Sequence, residues 1–228
     1  MSVTERGPAG KGQAATAASS GAPATHRYDR AEHDLVGLVA AALGASALET
    51  LGHREPQPLL TRGTDQATPF HRRFYESFSS LADAYERFVR EVAGPIIGEA
   101  FCYQTIPTFR IHLPANVGVG TIHTDADYNH PAGEVNFWVP LTRAWDTNTL
   151  WIERARGGGD LAPLPPVGPG QVVVFDAVGW RHGTMRNSTG STRVSFDFRC
   201  IPLSRYQPTD ARSENTNQRL VIGDYFRL

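Results

Sequence analysis

The feature that most constrains this chain is a change of period at Gly94 and Pro95. Before that pair, apolar residues recur at steps of three and four. Leu35, Leu38, Val39, Ala42 and Leu43 form one helical stripe, and Leu81, Tyr85, Phe88, Val89 and Val92 form another. After it, apolar and polar residues alternate. "FCYQTIPTFRIHL", "VGVGTIHTD", "EVNFWVPL", "TLWIE", "QVVVFDA" and "TRVSFDFRCI" read as strands, separated by turn clusters such as "ARGGGD" and "PPVGPG". Helices followed by at least six short strands predict an α+β chain whose core is an antiparallel sandwich or jelly roll, with the N-terminal helices packed on one sheet.

The divisions follow from the same pattern. Residues 1–27 are low in complexity and offer too little apolar area to offset ordering entropy, so a disordered leader is expected. A single domain is expected over 28–228, with helices over 28–100, the strand core over 101–203 and an extension over 204–228. Asp29 and Glu32 have capping-box spacing ahead of the first helix, and Gly44 stops it. A short second helix is expected over Ser46 to Leu51, and Gly94 and Pro95 should kink or end the longest helix.

Composition narrows the function. A formal net charge of -1 and a pI near 6.7 give no field for nucleic acid or anionic lipid, so neither is expected as a partner. Two cysteines, Cys102 and Cys200, make no disulfide framework, and no apolar run approaches the roughly 20 residues that span a bilayer. With no export signal at the N-terminus, the expected location is the cytoplasm.

The chemistry concentrates in "HTDADYNHPAGEVNFW". His123 and Asp125 are two apart, so on an extended strand both side chains share a face. An imidazole and a carboxylate on one face are two thirds of a 2-His-1-carboxylate triad, the set that suits iron(II) and leaves coordination positions open. The missing imidazole is sought in His182, 59 residues on and just after the strand "QVVVFDA". Eleven residues later, in "TRVSFDFRCI", Arg193 and Ser195 share one strand face while Val194, Phe196 and Phe198 share the other. A guanidinium beside a hydroxyl suits the end of a dicarboxylate. Arg199 has the same parity and is a rival for that clamp.

In this order the elements resemble the iron(II)/2-oxoglutarate-dependent oxygenases on the double-stranded β-helix (jelly-roll, cupin-like) fold. "FRIHLP", "HTDADYNHPAGEVNFWVPLT" and "TRVSFDFR" look closest to the small bacterial streptomycin-biosynthesis-type branch, loosely similar to phytanoyl-CoA hydroxylase. The resemblance implies iron(II) on His123, Asp125 and His182, and 2-oxoglutarate held at its distal carboxylate by Arg193 with Ser195 assisting; dioxygen would be the second cosubstrate. It implies hydroxylation, or a related oxidation, of a small polar metabolite such as a sugar, nucleoside, nucleotide or amino-acid intermediate of natural-product biosynthesis. The retained carboxylate Asp125 argues against the halogenating members, where a small residue replaces it.

Around these positions, Asn136 and Asn148 are candidates for holding the cosubstrate. Arg110, Asp127, Asn129, His130, Trp138 and Trp151 are candidates for contacting substrate, and Asp176 and Trp180 for orienting His182. His112 and His130 rival His123 as ligands, but neither has a carboxylate two residues later. "RARGGGD" lacks the lysine and the strand-to-helix setting of a phosphate loop and reads as a hairpin loop, a lid together with "GDYFRL". Two other classes keep much of this pattern: a cupin-like non-redox metalloenzyme such as an isomerase or epimerase, and a jelly-roll ligand-binding module. Oligomeric state is not encoded in any of these features.

Overall fold

A computed structural model of the protein describes residues 21–55, 57–61, 63–118 and 121–228. Its helical part comprises α1 (Leu35–Ala42), α2 (Leu51–Arg54), α3 (Pro69–Ser77), α4 (Ala82–Phe88) and α5 (Gly94–Ile97). Asp34, not Asp29, caps α1 by accepting from the Gly37 N–H. Asp29 instead closes a preceding turn on Ala31, so the expected capping box does not form. α3 starts where Thr68 caps and Pro69 takes the first turn, in which its missing N–H costs nothing. Between α4 and α5 the chain widens into a π-helical turn, Val89–Ala93, which accommodates Pro95 without breaking the helix. Gly98, at φ 76°, then ends it.

The strands are β1 (Ala24–Arg27), β2 (Phe101–Gln104), β3 (Thr108–His112), β4 (Val135–Pro140), β5 (Trp151–Glu153), β6 (Leu161–Pro163), β7 (Gln171–Phe175), β8 (His182–Gly183), β9 (Arg193–Pro202) and β10 (Phe226–Arg227). They form two antiparallel sheets. The larger runs β1-β7-β4-β9-β2-β10, with β3 also on β9, and the smaller runs β6-β5-β8. β1 corrects the expected leader boundary: Ala24–Arg27 alternates half-buried and exposed residues and, as the edge strand, finds hydrogen-bonding partners on β7. The rest of the leader, residues 1–20, lies outside the described residues. "VGVGTIHTD" does not form the expected strand over its described part, where only an isolated bridge joins His123 to His182.

One face of the large sheet carries Phe137, Val139, Val174, Val194, Phe196 and Phe198, which pack under Phe74, Tyr85, Phe88 and Val89 of the helical layer. Phe74 stacks on Phe109 with ring centroids 4.4 Å apart. The other face carries Trp138, Val173 and Phe175, packed against Leu150 and Ile152 and against Trp180. β9 is buried along its whole length, so its second face, Arg193, Ser195, Asp197 and Arg199, is a row of polar groups inside the protein. Such a row needs internal partners. No helix among the described residues is long and apolar enough to cross a membrane.

Candidate metal centre and adjoining cavities

Three donors converge between the sheets. His123 and His182 face each other across reciprocal backbone hydrogen bonds of 3.0 and 2.8 Å, and Asp125 is fixed by its N–H to the Ala177 carbonyl at 2.8 Å. Asp125 opens a single 3-10 turn (Asp125–Tyr128), so it meets His123 by a turn and not by shared strand parity. The Nε2 atoms of His123 and His182 lie 3.6 and 3.5 Å from Asp125 Oδ1. Their Nδ1 atoms lie 3.0 Å from the Thr121 carbonyl and 2.9 Å from the Trp180 carbonyl. A carbonyl only accepts, so Nδ1 carries the hydrogen and each Nε2 presents a lone pair toward the carboxylate. Burial, with His123 and Arg199 nearby, pushes His182 down to about 4 despite Asp125. This keeps the imidazole neutral at neutral pH, the form that ligates metal.

Burial alone would raise Asp125, but the Arg199 guanidinium holds it well below the usual carboxylate range. Nε and Nη2 of Arg199 both donate to Asp125 Oδ2, at 2.9 and 2.8 Å, and its Nη1 pairs with Asp197 at 3.0 Å. Arg110 closes the row by donating to the other Asp197 oxygen at 3.0 Å.

Arg193 is different. It is 1 % exposed, its Nε donates to the Asn148 carbonyl at 3.1 Å and its Nη1 to Ser195 at 2.9 Å. The guanidinium lies 5.6 Å over the Trp138 ring, whose N–H donates to Ser195. Among the described residues it has no ion-pair partner, and burial with the Arg110 charge pushes it down to about 9. It borders a narrow cavity shared with His123, His182, Asn136 and Trp138. Asn136 is 4 % exposed and its side-chain carbonyl oxygen has no hydrogen-bond partner among the described residues.

No protein-family model matches the chain. A relative does: the streptomycin biosynthesis protein StrG of Streptomyces griseus is 40 % identical over 200 residues, covering 88 % of this chain and 95 % of that protein. EctD from S. alaskensis, in a crystal structure with bound Fe, shares the fold at a TM-score of 0.52 with 16 % identity, covering 93 % of this chain and 82 % of that one. AviO1 from Streptomyces viridochromogenes Tue57 aligns at a TM-score of 0.48 with 17 % identity, over 81 % and 91 % of the two chains. The chain belongs to the family of the streptomycin biosynthesis protein StrG, and its fold is that of EctD.

In this StrG-family protein a second, larger cavity of about 940 Å³ opens outward from the triad. Its inner end is made by His123, Asp125, Arg199 and Arg110, its sides by Tyr128, His130 and Tyr225. Its outer walls come from the 63–67 loop and the 213–218 stretch. His130 is held by Glu134, 2.9 Å from its Nδ1, and so presents its other edge to this cavity. Tyr128 stands edge-on to His123 at 4.7 Å.

Several expected contacts fall elsewhere. Asp127 is exposed and caps its own turn by accepting from the Thr124 N–H at 2.8 Å; Asn129, at φ 67°, ends that turn. Neither borders either of these two cavities. Trp138 borders the narrow cavity, not the large one, and Trp151 borders neither because strand parity sends its neighbour Ile152 inward. Asn148 accepts from the Trp145 N–H and donates to Thr189, so its side chain is spent on a loop; its carbonyl is what meets Arg193. Asp176 accepts from the Gly179 N–H, and Trp180 steadies His182 through its backbone. Arg110 forms the internal salt bridge while still bordering both cavities. His112 is core, pushed by burial to about 3 and set between the Asn116 and Asn148 carbonyls. "GDYFRL" is not a lid: Phe226 and Arg227 pair with β2. "RARGGGD" does lie in the loop joining β5 to its hairpin partner β6.

Asp197, Glu134 as the partner of His130, and Arg199 as the partner of Asp125 are additions that the structure makes to the expected site. The alternation on β9 carries a signal for the first: an aspartate sits between two arginines on one face of a strand whose other face is wholly apolar. The Arg199–Asp125 pair spans 74 residues and has no local signature.

Proposed function

We propose that this protein is an iron(II)- and 2-oxoglutarate-dependent dioxygenase on a double-stranded β-helix core, hydroxylating or otherwise oxidising an unactivated C–H of a small polar metabolite. The observation that carries this reading is the adjacency of two features. Three buried donors converge on one point, and a buried arginine with no ion-pair partner among the described residues borders the same narrow cavity as two of them, His123 and His182. Two neutral imidazoles and one carboxylate are the donor set that suits iron(II) with positions left open. His123, Asp125 and His182 would hold the metal. Arg193 and Ser195 would take the distal carboxylate of 2-oxoglutarate, a pairing that supplies the guanidinium with the counter-charge its burial lacks. Asn136 would meet the cosubstrate through its unpartnered carbonyl oxygen.

Bound together, iron, 2-oxoglutarate and dioxygen would supply the oxidising power, with 2-oxoglutarate released as succinate and carbon dioxide. The chain's own contribution is to place the substrate and limit what else reacts. Arg110, His130, Tyr128 and Tyr225 line the way to the triad and would recognise hydroxyl and amide groups. The StrG relative supports a place in natural-product biosynthesis, with a sugar, nucleoside, nucleotide or amino-acid intermediate as substrate. A small molecule is the proposed partner, without nucleic acid or membrane, and the cytoplasm the proposed location.

The test is formation of labelled succinate from labelled 2-oxoglutarate, stimulated by one member of a panel of such metabolites. Anaerobic iron(II) and 2-oxoglutarate should also give a weak visible charge-transfer band that His182→Ala abolishes and His130→Ala retains. A well-folded protein with no band and no succinate overturns the reading in favour of a non-redox metalloenzyme or a binding module.

A further inference from the structure

The row of buried polar groups on β9 contains a device for which the metal-binding reading alone does not account. Both hydrogen bonds from Arg199 to Asp125 end on the same oxygen, Oδ2, while Oδ1 faces the two histidine Nε2 atoms. The guanidinium is itself immobilised. Its Nη1 is 3.0 Å from Asp197 and 3.3 Å from each of Gln104 Oε1 and Thr108 Oγ1, and the side chain is 6 % exposed. An oxygen that already accepts two charge-assisted hydrogen bonds has little left to offer a cation, and the carboxylate cannot rotate without breaking both bonds.

We propose that Arg199 is a positioning residue that restricts Asp125 to ligation through Oδ1 alone. This rests on the metal-site reading above and adds to it. A carboxylate free to ligate through both oxygens would occupy a coordination position; one held by Arg199 leaves that position to the cosubstrate. The same placement fills the neighbouring acidic group. Asp125, His130 and Glu134 converge closely enough to suggest a second cation site. The Arg199 guanidinium already supplies positive charge there, 2.8 Å from Asp125 and 3.9 Å from Glu134.

Cobalt(II) binding, followed by titration calorimetry and by its visible d–d absorption, tests the role without turnover. The wild-type protein binds one equivalent. Arg199→Gln weakens binding about 10- to 100-fold and alters the absorption, the range expected on losing the outer partner of a ligand, and Arg199→Lys falls between. Because Arg199 acts through Asp125, Arg199→Gln adds no further loss in an Asp125→Ala background. Folded Arg199→Gln and Arg199→Lys variants with wild-type affinity and absorption overturn the proposal, as does full additivity with Asp125→Ala. If Arg199→Gln does not fold, Arg199→Lys decides the matter, since it keeps the charge and loses the double contact. Wild-type protein that binds no cobalt, or binds it equally after His182→Ala, overturns the metal-site reading and this inference with it. Cobalt binding sensitive to His182 and insensitive to Arg199 overturns this inference alone.

Discussion

Arg193 and Arg199 leave the same strand on the same face, six residues apart, and both are buried. Their surroundings are opposite. Arg199 is surrounded by carboxylates, and although burial works against its charge, Asp125, Asp197 and Glu134 raise it well above the ordinary arginine value. Arg193 meets a carbonyl, a hydroxyl and an indole face, and is pushed down to about 9. The contrast separates a guanidinium that completes an internal charge network from one that borders a cavity uncompensated. Burial is common to both; internal neutralisation is not.

The largest effect should come from removing the neutralised arginine. Arg199→Met leaves Asp125 and Asp197 buried without their main counter-charge, and should cost roughly 3–5 kcal/mol in chemical denaturation. Arg193→Met should do the reverse in the free protein, leaving stability unchanged or raised, because it removes a desolvated charge that lacks an ion pair. Equal destabilisation by the two variants would break the comparison. Ligand binding should then invert the ranking. Arg193→Met should weaken 2-oxoglutarate by about 10- to 100-fold, the worth of a charge-assisted contact, with cobalt affinity unchanged. Equilibrium dialysis with labelled 2-oxoglutarate measures this.

Acid sharpens the same contrast between paired and unpaired groups. Burial depresses His71 and His112 to about 3 and His182 to about 4, from an ordinary value of 6.5. The unfolded chain therefore takes up protons below about 6.5 that the folded chain refuses. Their contribution to stability is fully present above 6.5 and is lost progressively as pH falls through the folded values near 4 and 3. Thermal melts between pH 7 and 4 should show a steady decline, shallower in His112→Gln; a flat profile would contradict the burial of neutral imidazoles. The smallest effect is Asp127→Ala. It should cost about 1 kcal/mol by removing a cap and leave cobalt affinity within twofold, since Asp127 faces solvent.

What was legible in the sequence divides along the line between periodicity and long-range pairing. Alternation on β4 and β9 separated Val135, Phe137 and Val139 from Asn136 and Trp138, and Val194 from Arg193, because a pleated strand leaves a side chain no other choice. His123, Asp125 and His182 stood out by residue type and spacing, and the structure brings them together by a turn where a strand was expected. Asp127, Asn129 and Asn148 were misplaced for one physical reason. Short polar side chains near a turn hydrogen-bond their own backbone first, and composition does not distinguish that from facing a cavity. The bond from Arg199 to Asp125 depends on how the 3-10 turn is laid against β9, which no local pattern records.

The cavity walls carry a consequence for divergence. Both arginines and His182 sit on the packed sheets, with His123 and Asp125 bonded to the backbone beside them, whereas much of the outer wall is the chain between β9 and β10. That stretch is tethered at both ends: by β9 itself, and by Leu220, Tyr225 and Phe226, which pack on Cys102 and Ile201. It can therefore be exchanged between relatives like a cassette. Ligand range can drift while the buried triad is inherited intact, and swapping the 207–218 loop is the economical first step toward changing what the cavity accepts.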